Sequence, residues 1–110
     1  MQNDSIVQNE RGGKQSAIYG KPTELPPLAL IEVANVMGVG AENYPREEDG
    51  SPNWHRIGCC SNLDHGLEHA FTFLAERNKP DRDHTKMLEE LGHHAARALM
   101  ALEQYLRGDL

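Results

Sequence analysis

Aromatic side chains are scarce in this chain. Two Phe, three Tyr and one Trp make up 5% of 110 residues, and hydrophobic residues of all kinds reach only 38%. A chain of this length supports one domain and not two. With so few large rings its core is thin for a monomer, and small all-helical chains of this kind often complete their core by oligomerising. Basic charge is also short: eleven Lys and Arg stand against seventeen Asp and Glu, for a formal charge of -6. That argues against a broad nucleic-acid surface, which needs clustered cations against phosphate, but not against a single nucleotide held by a few donors. No apolar run is long enough to span a bilayer. The opening MQNDSIVQNERGGK lacks the apolar stretch of a secretory signal. The only cysteines, Cys59 and Cys60, are adjacent, which suits neither a relaxed disulfide nor a structural metal site, so a reduced, cytoplasmic protein is expected. Gly-x-Ser-x-Gly and the Walker loop are both missing, which argues against nucleophilic catalysis and phosphate-loop chemistry.

What remains reads as helix. Residues 1–24 form a polar N-terminal arm with Gly12, Gly13 and Gly20, partly flexible, and residues 25–110 form a single helical domain. Pro27 suits a first helical turn. LALIEVANVM then predicts a helix over about 27–38, with Gly38-Val39-Gly40 as its stop. A long loop follows, whose first residues AENY could extend the helix by a turn, broken by Pro45, Gly50 and Pro52 and carrying the only tryptophan directly after Asn53; loops of this length in small domains are often functional. A second helix is expected from about 57 or 62 to 77, and Ser61-Asn-Leu-Asp64 fits a capping box for the later start. Its Leu63, Leu67, Ala70 and Leu74 share one stripe. The third helix is expected over 83–107, with Asp83 as cap, Gly108 as stop, and Leu88, Leu91, Ala95, Ala98 and Leu102 as its core stripe. The fold class is therefore all-α: a bundle of about three helices with a long loop and an extended arm.

The polar residues opposite those stripes form a pattern of their own. His65 and His69 stand at i, i+4, and Glu90 and His93 at i, i+3, with Arg97 one further turn along. Imidazole and carboxylate on facing helices can hold Mg or Mn, and Asp81 in the short connection could close such a site. His69, Asp81, Glu90 and His93 are thus the metal candidates. The same residues also fit a solvated ion-pair face, which helical spacing supplies freely. Trp54 and Tyr44 are each either a plug beneath the loop or a surface for stacking a base, with Asn53 offering edge donors. Lys21 and Arg97 are candidates for phosphate. Lys21, Tyr44, Asn53, Trp54, His65 and Arg97 make up the nucleotide-binding set.

The ordered series GKP at 20–22, LPPLALIEVANVM at 25–37, GAENY at 40–44, NW at 53–54, LEHAFTFL at 67–74 and LEELGHHAARALMALE at 88–103 resembles a phage and prophage family, the dATP/dGTP diphosphohydrolase N-terminal domain. The resemblance covers about residues 12–106. It implies kinship with MazG-like all-α enzymes, which use Mg or Mn to split a nucleoside triphosphate into monophosphate and pyrophosphate. Such enzymes assemble as dimers or tetramers. It also implies a homo-oligomer in the cytoplasm of an infected or lysogenic bacterial host, with no membrane partner and no extended nucleic acid. The chain departs from the MazG pattern of Glu-x-x-Glu and Glu-x-x-Asp: it offers Asp64, His65, Glu68 and His69 on one helix and Glu89, Glu90 and His93 on the next. Two functions follow as expectations. One is a metal-dependent (d)NTP pyrophosphohydrolase acting on dATP- or dGTP-like nucleotides. The other is a non-catalytic sponge that sequesters a nucleotide second messenger of host anti-phage defence.

Overall fold

A computed structural model describes residues 5–110; the first four residues of the expected arm lie outside the described residues. The rest of the arm is not merely extended. Strands β1 (Ile6–Gln8) and β2 (Lys14–Ser16) pair antiparallel, with Ile6 opposite Ser16. Asn9 makes the turn by accepting on its side-chain oxygen from the N–H groups of Arg11 and Gly13, and Gly12 takes φ 83°, a conformation that favours glycine. A 3-10 turn at Pro22–Glu24 leads into the helices.

Helix α1 spans Pro27–Asn43, α2 Cys59–Arg77 and α3 His84–Leu106. The all-α expectation holds, with the small hairpin as the only sheet among the described residues. One boundary and one cap differ from the sequence reading. Helix α1 runs straight through Gly38 and Gly40 and stops at Tyr44, whose N–H reaches the Gly40 carbonyl at 2.8 Å. Interior glycine weakens a helix by about 1 kcal/mol without breaking it; the stop comes from Pro45, which bars its predecessor from helical backbone. Ser61 is not a cap either. Helix α2 already begins after Gly58, so Ser61 sits inside its first turn. Asp83 does cap α3, accepting from the N–H of Thr85 at 2.9 Å and of Lys86 at 3.2 Å. At the other end Gly108 takes φ 86° while Asp109 N–H bonds the Gln104 carbonyl and Gly108 N–H that of Tyr105, a Schellman closure.

The core corrects the sequence reading more sharply. Among the described residues the buried hydrophobic ones are Val33, Cys59, Ala96 and Ala101, and no leucine or phenylalanine is among them. Leu63, Leu67, Leu74, Leu88, Leu91 and Leu102, expected as the core stripes, are 39–54% exposed. The stripe along which α2 meets α3 is instead Asn62, Gly66, His69, Phe73 and Glu76, and two of its members are a small residue and a glutamate. Gly66 makes this contact: a Cβ there would stand 3.1 Å from the Cβ of Arg97. Gly92 does the same for α1, where a Cβ would meet Val36 at 3.2 Å. The radius of gyration is 18.3 Å, well above the ~13 Å of a closed domain of this length.

Candidate functional site

Helix α1, the 45–58 loop and the first half of α2 enclose a cavity of about 660 Å³ against α3. That is within the usual range for a small-molecule site, roughly 300–1,000 Å³. The loop is locally stapled, which fixes its residues at the rim. Arg46 donates from Nη1 to the Gly50 carbonyl at 2.7 Å, and Arg56 Nε lies 3.4 Å from Glu47. The Ser51 hydroxyl donates to Asp49 and holds that carboxyl below its usual range. A 3-10 turn at Asn53–Arg56 then presents Asn53 and Trp54 inward, both half-buried. Trp54 also lines a second hollow of about 310 Å³ with Met37, Leu99 and Met100, and its indole meets the His55 ring edge-on at 4.4 Å.

Of the six nucleotide-binding candidates, Tyr44, Asn53, Trp54, His65 and Arg97 line this one cavity, while Lys21 does not. His93 joins them from the metal set. Arg46, Ser61 and Met100 also line it and were not foreseen. Arg46 carried no signal beyond being one cation in a charged loop. The electrostatics of the wall are one-sided: it carries two guanidiniums and two imidazoles and no carboxylate, in a chain whose net charge is -6. Such a wall attracts anions, and guanidinium binds phosphate oxygens in pairs.

The metal candidates divide. His69 donates from Nδ1 to Glu90 Oε2 at 2.7 Å, and its ring lies 5.0 Å from that of His93. Three of the four therefore gather where α2 crosses α3, while Asp81 is exposed in the connection. His93 gives its own Nδ1–H to the Glu89 carbonyl at 2.7 Å. These tautomers follow from the partners, since a carboxylate or carbonyl oxygen only accepts. Among the described residues no group of three or more His, Cys, Asp or Glu is placed to hold a metal ion. Glu90 meets His69 through Oε2, and a carboxylate has a second oxygen that can accept. His94, expected at the edge of the core, donates to the Gly66 carbonyl at 2.8 Å and ties the helices together.

Two further polar residues escaped the sequence reading. Asn62 and Gln104 are 0% and 1% exposed, and they bond one another across α2 and α3. The available signal was their place on the polar side of each helix, which was read as either a ligand site or a solvated face and not as the seam between helices. No helix among the described residues is long and apolar enough to cross a membrane.

No curated protein and no solved structure matches this sequence. The model of a family described as dATP/dGTP diphosphohydrolase, N-terminal, matches residues 9–110. That span takes in all three helices and the entire cavity wall, and the chain belongs to this family.

Proposed function

We propose that the cavity binds a purine nucleotide of the dATP or dGTP kind, with its base against Trp54 and Tyr44 and its phosphates on Arg97, Arg46 and His93. The observation that carries this reading is the wall itself: aromatic rings, guanidiniums and imidazoles with no carboxylate. Stacking on an aromatic ring contributes about 1–3 kcal/mol per base. A charge-assisted hydrogen bond adds about 1.5–3 kcal/mol. Asn53 stands beside Trp54 to bond the base edge. The family name supports a diphosphohydrolase substrate of this class. Hydrolysis would need a divalent ion, for which His69, Glu90 and His93, gathered where α2 crosses α3, are the candidate ligands. Retention without hydrolysis is what a sponge for a nucleotide second messenger, carried by a phage into a bacterial cytoplasm, would do. The test is calorimetric titration with dATP and dGTP, with and without manganese, beside an assay for released pyrophosphate. Tight binding without manganese and without pyrophosphate supports retention. Turnover with manganese would instead establish a hydrolase, and absence of any binding would end the nucleotide reading.

We also infer that the working unit is a homo-oligomer. The leucine-bearing flanks of α2 and α3 lie on the side of the helix pair away from the cavity, as the antiparallel register of Asn62 with Gln104 and of His69 with Glu90 requires. Two copies meeting through this flank would form a four-helix layer. Light scattering of the purified chain reads the assembly directly, and a monodisperse monomer would refute it.

A further inference from the structure

Three polar side chains and two backbone carbonyls run in one unbroken line beneath the cavity. Arg97 donates from Nη1 to Asn62 Oδ1 at 2.9 Å, and Asn62 Nδ2 donates to Gln104 Oε1 at 2.6 Å. Gln104 Nε2 then donates to the carbonyls of Trp54, at 3.2 Å, and Ile57. Both ends of this line are chemically unambiguous. A guanidinium can only donate and a backbone carbonyl can only accept. Neither amide can therefore flip without setting two donors or two acceptors face to face. Every donor points the same way, so each bond polarises the next.

The line joins the two halves of the cavity. One end is Arg97, whose remaining N–H groups are left for an anion. The other end is the turn that carries Asn53 and Trp54, with Gln104 gripping it at two carbonyls. Both connecting amides are sealed from water, where a lost partner is costly.

We propose that Asn62 and Gln104 are positioning residues that hold the Trp54 turn and Arg97 in register, so that the stacking ring and the phosphate-binding cation are set at a fixed separation before any ligand arrives. The separation selects a ligand with an aromatic base at one end and phosphate at the other. This rests on the nucleotide reading given above for its ligand, but the register itself is a property of the empty protein and is measured there too.

The experiment uses Gln104→Met, which keeps the length of the side chain and removes its hydrogen bonds, and Asn62→Leu, which frees Arg97. Three quantities are read in each: acrylamide quenching of Trp54 without ligand, affinity for dATP, and affinity for inorganic pyrophosphate. Gln104→Met is expected to raise quenching and to weaken dATP about tenfold, as loss of one or two buried hydrogen bonds predicts. It leaves pyrophosphate, which needs no stacking ring, within about twofold. Asn62→Leu weakens both ligands. Should Gln104→Met fail to fold, Gln104→Glu carries the same readouts, since it keeps the acceptor for Asn62 and loses the donors to the turn. Unchanged quenching in the Gln104 variants overturns the proposal whatever the ligand data. Equal loss of dATP and pyrophosphate, in step with a lower melting temperature, also overturns it by reducing the pair to general support. A wild-type chain that binds neither ligand refutes the nucleotide reading alone, and the quenching result then decides the register.

Discussion

The two flanks of the α2–α3 pair are built on opposite principles. Beneath the cavity, the helices bury the amides of Asn62 and Gln104 and half-bury Arg97, and no buried side-chain nitrogen or oxygen among the described residues lacks a partner. Away from it, Leu63, Leu67, Leu74, Leu91 and Leu102 stand half exposed. A lone chain that hides its polar groups and displays its leucines gives up the main driving force for folding, about 25 cal/mol for each Å² of apolar surface left wet. The difference shows where uniqueness and stability come from. The cavity side specifies geometry through bonds that fit in only one way, and the leucine side holds a reserve of hydrophobic area that a second copy can cover.

The comparison can be broken first at its apolar side. A charge at the centre of a covered leucine face forfeits about 1.5–3 kcal/mol of burial and adds desolvation of the carboxylate. Leu67→Asp combined with Leu91→Asp is therefore expected to yield dissociated, largely unfolded chain by light scattering and circular dichroism. If the double variant melts and migrates like the parent, that flank is ordinary surface. On the polar side, Trp54→Ala and Arg97→Ala should each weaken dATP by about ten- to a hundredfold in calorimetry, with the oligomer intact. At the seam between the sides, Gly66→Ala places a methyl 3.1 Å from the Cβ of Arg97. The expected destabilisation is about 1–3 kcal/mol by denaturant titration, and phosphate affinity should fall with it.

The smallest effect concerns Glu76, at the far end of the pair. The N–H of Asp83, 2.9 Å away, and then the Lys79 and Lys86 ammonium groups hold its carboxyl below the usual glutamate range. A lowered native value means that the folded state binds this proton less readily than the unfolded chain. The stabilisation is complete above the ordinary glutamate value of about 4.3 and is lost as pH falls below it toward the native value. Melting temperatures of the parent and of Glu76→Gln should therefore converge as the solution is acidified through that window. A constant gap between them would show that Glu76 acts without its charge.

Much of the architecture was readable from residue order, because its signals are local. Pro27, Asp83 and Gly108 act on backbone within a turn of themselves, and each works as its chemistry predicts. Trp54 and Asn53, placed side by side in a long loop, were legible for the same reason. The facing of the helices was not. Helical periodicity finds two stripes on α2 and α3 but does not say which one meets the neighbouring helix of the same chain. The ordinary assumption that leucines turn inward holds for a closed monomer, and here it failed. Gly66 and Gly92 were the overlooked clue, since each lets backbones approach where a larger residue would hold them apart. Asn62 and Gln104 were hidden because their bond spans 42 positions, beyond the reach of any local pattern. Arg46 entered the cavity wall through the shape of its own loop, which composition does not encode.

The clamp at Glu76 also bears on the order in which the chain assembles. Its hydrogen-bonding partners lie only three and seven positions away, so closing this corner requires little loop-closure entropy. Contacts that near in sequence form early, and the α2–α3 hairpin is the natural nucleus. If that hairpin nucleates, helix α1 and the Trp54 turn would dock on a surface already built and the cavity would close last, an order that mutational folding kinetics would test.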